Sequence, residues 1–217
     1  MDECLASYGE NIKTVKTPAK QDLFKIDKES WELDEKQSDL FHHIVAKLLF
    51  VAKRARLDID LAISFLCTRV SCSTVQDWEK LGRVLGYIQG SLDLPRIIGT
   101  DNMQTMHTWV NASYAIHNDM RGHTGGVISM GLGLVHHKSS KQKLNTKSLT
   151  ESELVGASDY IPWTIWSKRF LEEQGYNVKQ NMFYQDNESS IKLKSNSRKS
   201  CGEKSRHIDI RYIFIKM

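Results

Sequence analysis

The run from His107 to His137, HTWVNASYAIHNDMRGHTGGVISMGLGLVHH, decides the fold. Upstream of it apolar residues recur with a helical period; inside it the period becomes two. His107–Ile116 is rich in residues that suit a pleated strand, and five of the thirteen glycines fall between Gly122 and Leu134. Glycines at that density between short apolar runs mark hairpin turns. The stretch therefore reads as three antiparallel strands. The first covers His107–Ile116, the second runs to a turn at Met130-Gly131, and the third covers Leu132–His137.

Downstream, Thr150 and Glu153 have the S/T-x-x-E spacing of a capping box, which opens a long helix. Leu154, Ala157, Ile161, Ile165 and Phe170 carry its apolar side on to Gln174. Pro162 is expected to kink or break it. Trp163 and Trp166, three apart, are expected to pack into a core rather than stack on bases. Asn181–Gln185 reads as one buried strand ending at Asp186. A short helix over Asn187–Lys194, a polar loop over Ser195–Lys204 and an apolar helix over Ile208–Ile215 complete the chain. Strands followed by helix, strand and helices form an α/β layered plan.

Upstream, residues 1–37 are polar and weakly patterned, hence loop-rich. From Ser38 the texture changes: Phe41, Ile44, Val45, Leu48, Leu49 and Ala52 follow the helical rule, with Ser38 or Asp39 placed to cap. Ile59–Val70 and Thr74–Gln89 give two more amphipathic helices. This helical stretch carries no catalytic constellation.

Composition bounds the function. The chain has 217 residues, 40% hydrophobic and 26% charged, as a globular chain has. Its most apolar stretch, Leu40–Ala52, is interrupted by His42, His43 and Lys47, which argues against a membrane span. The N-terminus lacks a basic and apolar leader, so the chain reads as intracellular, cytoplasmic or nuclear. Cys4, Cys67, Cys72 and Cys201 show no metal-binding or disulfide spacing and read as reduced bystanders.

Net charge is +4 but unevenly spread: Ser190–Met217 holds eight Lys or Arg against Glu203 and Asp209. A second basic run, Lys138, Lys141, Lys143 and Lys147, has no acid between Gly131 and Thr150. Two such segments suit a phosphate backbone, and equally suit two solvated loops. His136 and His137 read as a solvated strand end, with contact to phosphate as the alternative.

Chemistry needs acids held on a rigid frame. Asp186 ends a strand, Glu153 stands in the first turn of the long helix, and residue 111, on the strand expected beside Asp186, is asparagine. Carboxylates converging from separate elements suit two divalent ions about 4 Å apart, Mg²⁺ being the usual partner of oxygen ligands. A surface glutamate in a capping box explains Glu153 without catalysis.

Several motifs carry a resemblance: W-V-N-A-S-Y-A (109–115), R-G-H-T-G-G (121–126), V-H-H-K-S-S-K-Q (135–142), S-L-T-E-S-E-L (148–154), Y-Q-D-N-E-S (184–189) and K-S-R-H-I-D-I-R-Y (204–212). In order and spacing, Trp109–Ile213 resembles the ribonuclease H domain of copia-type retrotransposon polyproteins. Residues 38–98, with L-L-F-V-A-K-R-A-R-L-D-I and W-E-K-L-G-R-V-L-G-Y-I, resemble the helical connection that follows the polymerase palm. Residues 14–26 are similar to the stretch just after the palm.

The resemblance implies a remnant over 1–37, a connection region over 38–100 and a ribonuclease H-like domain over 101–217. The implied fold is a mixed α/β sheet in the order 3-2-1-4-5, with the chain ending before strand five. The implied activity is two-metal, Mg²⁺-dependent cleavage of RNA in RNA–DNA hybrids, with hybrid or RNA as partner and no membrane. Glu153 and Asp186 fall on family carboxylates, and Asn111 falls where the family has aspartate. Asp209 is the remaining candidate for a fourth ligand, or else caps the last helix. Lys138, Lys141, Lys143, Arg198, Lys199, Lys204 and Arg206 are the implied nucleic-acid contacts. An asparagine keeps one oxygen ligand but removes a charge and the bridging of two ions, so weak or absent cleavage is expected. The alternatives are a noncatalytic hybrid-binding module and a decaying element copy. The absence of a Y-x-D-D turn excludes DNA synthesis. A strand four without charge or proline between Met182 and Tyr184 is expected to be an edge through which copies associate.

Overall fold

The structure, a computed structural model, describes residues 1–9 and 12–186. The chain divides into two compact units, Met1–Arg96 and Ile97–Met217.

The first unit is helical. α1 (Asp2–Tyr8) lies in the segment expected to be loop-rich; its short length hides its period, and Cys4 and Tyr8 pack inward. Tyr8 stacks on Trp78 with centroids 4.5 Å apart. α2 (Glu35–Arg54) starts earlier than expected because Asp34, not Ser38 or Asp39, caps it by accepting from the Gln37 N–H at 2.8 Å. Its stripe of Phe41, Ile44, Val45, Leu48 and Ala52 is buried. It packs against α3 (Asp60–Cys67) and α4 (Val75–Gln89), whose Ile63, Leu66, Leu81 and Leu85 complete the core. Arg56 is buried with its charge met: it binds the Asp58 carboxylate at 2.8 Å and the Ser91 carbonyl at 2.9 Å. Breaking such a buried pair costs about 3–5 kcal/mol, so Arg56 fixes the α2 exit onto the end of α4.

The second unit is an α/β layer compatible with a ribonuclease H-like fold. β1 (Thr105–Ser113), β2 (His123–Ser129), β3 (Leu134–Lys141) and β4 (Gln180–Tyr184) form a mixed sheet in the order β3-β2-β1-β4. β1–β2 and β2–β3 are antiparallel, and β1–β4 is parallel. The sheet thus runs as expected, with shifted ends. β1 begins two residues early and stops at Ser113, because Ala115 takes a positive φ that ends the pleat. β3 extends to Lys141, so Lys138 and Lys141 are strand residues rather than loop residues.

α5 (Leu149–Glu173) covers one face of the sheet. Met106, Val110, Ile128, Met130, Tyr160 and Val178 form the core between the two layers, and the Thr108 and Thr164 hydroxyls meet across it at 3.3 Å. Gly126 is required here, since a Cβ would enter the Tyr160 ring. α5 is capped by Ser148, which accepts from the Glu151 N–H at 3.2 Å, and not by the Thr150–Glu153 pair. It passes through Pro162 without a break. A mid-helix proline costs about 3 kcal/mol, and burial of Tyr160 and Thr164 on either side offsets it. Two expectations of burial fail: Trp163 and Trp166 face outward, and β4 is mostly exposed. Five residues of β4 alternate too briefly for one face to be read from sequence. No helix among the described residues is long and apolar enough to cross a membrane.

Candidate functional site

The burial of β1 alternates. Met106, Thr108, Val110 and Ala112 point toward α5, while Trp109, Asn111 and Ser113 lie on the opposite, open face. Asn111 is opposite Gly125 of β2. On the other side, the parallel register ends at Trp109 with Tyr184, whose rings stack at 5.0 Å. Two residues beyond that last pair come Asn111, within β1, and Asp186, two residues past the end of β4.

Glu153 comes from the other layer and is almost fully buried at 2% exposure. One carboxylate oxygen accepts from the Ala112 N–H at 3.0 Å, and the other accepts from the Gln185 side-chain amide at 3.2 Å. That amide also donates to the Glu153 carbonyl at 3.2 Å. Ala112 adjoins Asn111 and Gln185 adjoins Asp186. The carboxylate therefore clamps the two strand ends together through the neighbours of the implied ligands. The structure brings Asn111, Glu153 and Asp186 to one end of the sheet, with two carboxyl groups among them.

A preorganised pair of divalent ions carries four positive charges and is ordinarily matched by several carboxylates. Here one of three positions is neutral, and both oxygens of a second residue are engaged by N–H donors. Among the described residues no group of three His, Cys, Asp or Glu could hold a metal ion. The described residues do not fit a two-ion centre. Asp209, with Arg198, Lys199, Lys204, Arg206 and the expected last helix, lies outside the described residues.

The remaining basic residues do not form one patch. Lys138 and Lys141 are three apart on a strand and so point to opposite faces. Lys138 Nζ stands 5.7 Å from the Trp163 ring centroid on the α5 side. Lys141 pairs with Asp119 at 2.7 Å, and Asp119 also meets Arg121 at 3.4 Å. Lys143 is exposed in the β3–α5 loop.

Sequence reading missed two further arrangements. His117 and His123 share a hydrogen bond of 3.0 Å, and His123 meets the Ser139 hydroxyl at 2.7 Å. Burial pushes the His117 pKa down to about 4, helped by the Lys141 charge and partly opposed by Asp119. His117 is therefore neutral at pH 7, and this run of hydrogen bonds pins the β1–β2 loop to β3. Gln142 is buried and donates to Thr124 at 3.0 Å and to the Ser152 carbonyl at 2.8 Å, fixing the first turn of α5 on the sheet. Only the cross-strand register reveals either set, since neither has a spacing that marks it.

Over 173 residues the chain is 29% identical to the Retrovirus-related Pol polyprotein from transposon TNT 1-94 of Nicotiana tabacum, covering 79% of this chain and 13% of that protein. Over 178 residues it is 26% identical to each of the Retrovirus-related Pol polyproteins from transposons RE2 and RE1 of Arabidopsis thaliana, covering 81% of this chain and 12% of each relative. No family model and no solved structure matches. The chain spans only about an eighth of the length of the relatives it matches, and over most of its own length it is similar to retrotransposon Pol polyproteins.

Proposed function

We propose that this chain is a fragment of a copia-type retrotransposon polyprotein. In this reading a helical connection region precedes a ribonuclease H-like domain that holds RNA–DNA hybrid and cleaves it poorly or not at all. The observation that carries the reading is the buried Glu153, engaged by Ala112, the neighbour of Asn111, and by Gln185, the neighbour of Asp186, with Asn111 adding no charge. The frame of a hybrid nuclease is kept, and the charge that would gather Mg²⁺ is reduced. Similarity to Pol polyproteins supports the polyprotein origin.

Hybrids present closely spaced phosphates and 2′-hydroxyls, which a basic chain recognises by charge and shape without reading sequence. Lys143 in the β3–α5 loop and Arg198, Lys199, Lys204 and Arg206 near the C-terminus supply that charge. Retention of a labelled hybrid across a salt series in EDTA tests the reading. Binding should fall steeply with salt, and replacing Lys199, Lys204 and Arg206 by Ala should weaken it and flatten the slope. An affinity that ignores salt would contradict it.

A further inference from the structure

The outer face of α5 carries an aromatic stripe. Trp163, Trp166 and Phe170 fall at i, i+3 and i+7, on one side of the helix, and are 40%, 60% and 49% exposed. Their rings are already paired. Trp166 and Phe170 stack at 5.2 Å with planes 12° apart. Trp163 stacks on His136 of β3 at 4.8 Å and 21°, and His136 is held by the Tyr160 hydroxyl at 2.9 Å. Lys138, one strand step beyond, places its ammonium near the same indole. From Trp163 to Phe170 the helix rises about 10 Å, the span of two or three nucleotides of a single strand.

We propose that this face of α5, with His136 and Lys138, is a stacking platform for unpaired bases of single-stranded nucleic acid. The proposal extends the nucleic-acid reading above to a second surface, because these residues stand on the α5 side of the sheet and Asn111 on the other. Every base offers a π-face, so parallel exposed rings bind single strands without choosing sequence. The large exposed apolar side chains of the stripe are aromatic, with only Pro162 beside them, whereas a surface made for a protein helix would bring aliphatic anchors too. Charge agrees with the choice. Lys138 sits on the platform, its ammonium 5.7 Å from the Trp163 ring centroid. The helix's own charges from Asp159 to Glu173 nearly cancel, so stacking supplies most of the attraction and its salt dependence is shallow.

The test uses the full chain with two labelled probes, an oligouridine of about 12 nucleotides and a blunt RNA–DNA hybrid of about the same length. Trp163→Ala with Trp166→Ala should weaken oligouridine binding at least about tenfold, while hybrid affinity stays within about twofold. Trp166→Phe should retain most of the affinity, and the single Trp166→Ala, at the most exposed position, serves if the double variant fails to fold. Unchanged oligouridine affinity in the Ala variants overturns the platform, even if hybrid binding stands. A parent chain that binds hybrid but not oligouridine also overturns it and leaves the proposed function intact. A parent chain that binds oligouridine through these tryptophans but not hybrid supports the platform and contradicts the proposed function. If the variants abolish self-association in light scattering and leave oligouridine binding untouched, the stripe is a protein contact and the proposal fails.

Discussion

Gln185 donates its side-chain amide to the carboxylate of Glu153 at 3.2 Å, across the gap between strand β4 and helix α5. The same carboxylate accepts from the Ala112 N–H, so one buried acid ties together both strands on which Asn111 and Asp186 stand. The proposed resemblance implies a metal-ligand role for it; its hydrogen bonds make it a brace. A buried acceptor that loses its donors, or a donor that loses its acceptor, costs more than the bond contributed.

Glu153→Ala should therefore destabilise the chain by about 1–3 kcal/mol, since it orphans the Ala112 N–H in a buried setting. Gln185→Ala should cost about 1 kcal/mol, because Glu153 keeps its backbone donor. Chemical denaturation of both variants measures this. Stabilities equal to the parent's would mean that the carboxylate braces nothing.

His117 gives the chain a pH dependence whose sign follows from burial. Its folded pKa is depressed to about 4 from the ordinary histidine value of 6.5, so between these values the unfolded state binds the proton more readily. Stability is complete above the unfolded value and is lost as pH falls from about 6.5 toward 4. Urea midpoints measured across that window should decline toward acid, and His117→Asn should flatten the decline. A parent chain equally stable at both ends would contradict this account of the His117–His123 pair.

Two neighbouring glycines of β2 should behave differently. Gly126→Ala drives a methyl group into the Tyr160 ring and should cost about 1–3 kcal/mol, as overpacking does. Gly125→Ala, beside it on the open face, meets nothing within 4 Å and should stay within about 0.5 kcal/mol of the parent. Thermal melting of the two variants decides whether α5 lies on the face assigned to it.

Much of this frame is legible in the chain itself. Three of the four helices of the first unit, α2, α3 and α4, follow from apolar stripes, and the hairpins from the glycines between Gly122 and Leu134. Strand pairing of β1 with the segment ending at Asp186 was expected and is present. What the sequence hides are effects of tertiary contact. Trp163 and Trp166 have core-like spacing, but Tyr160 and Thr164 fill the buried side of α5 first, leaving the indoles outside. Glu153 has capping-box spacing, yet Ser148 takes the cap and the glutamate is drawn inward to Ala112. Asp34 captures the start of α2 because a side chain one turn earlier outbids weaker caps. Gln185 has no pattern at all, and only the fold reveals its partner.

The edge position of β4 among the described strands leads to a test of association. Its exposed Met182 and Tyr184 have no charge to repel a second copy. Met182→Lys should lower self-association in light scattering with little effect on stability. Scattering unchanged by that charge would mean that copies do not meet at this edge.

In the proposed function the domain holds hybrid but lacks the charge at residue 111 needed to cut it. The most direct measurement compares binding and cleavage of a labelled RNA–DNA hybrid in Mg²⁺ by the parent chain and by Asn111→Asp. The account predicts comparable retention by both, with cleavage at least about 100-fold faster in the variant, the usual worth of one charge-stabilising group. Equal cleavage by the two chains, or no retention by either, would contradict it.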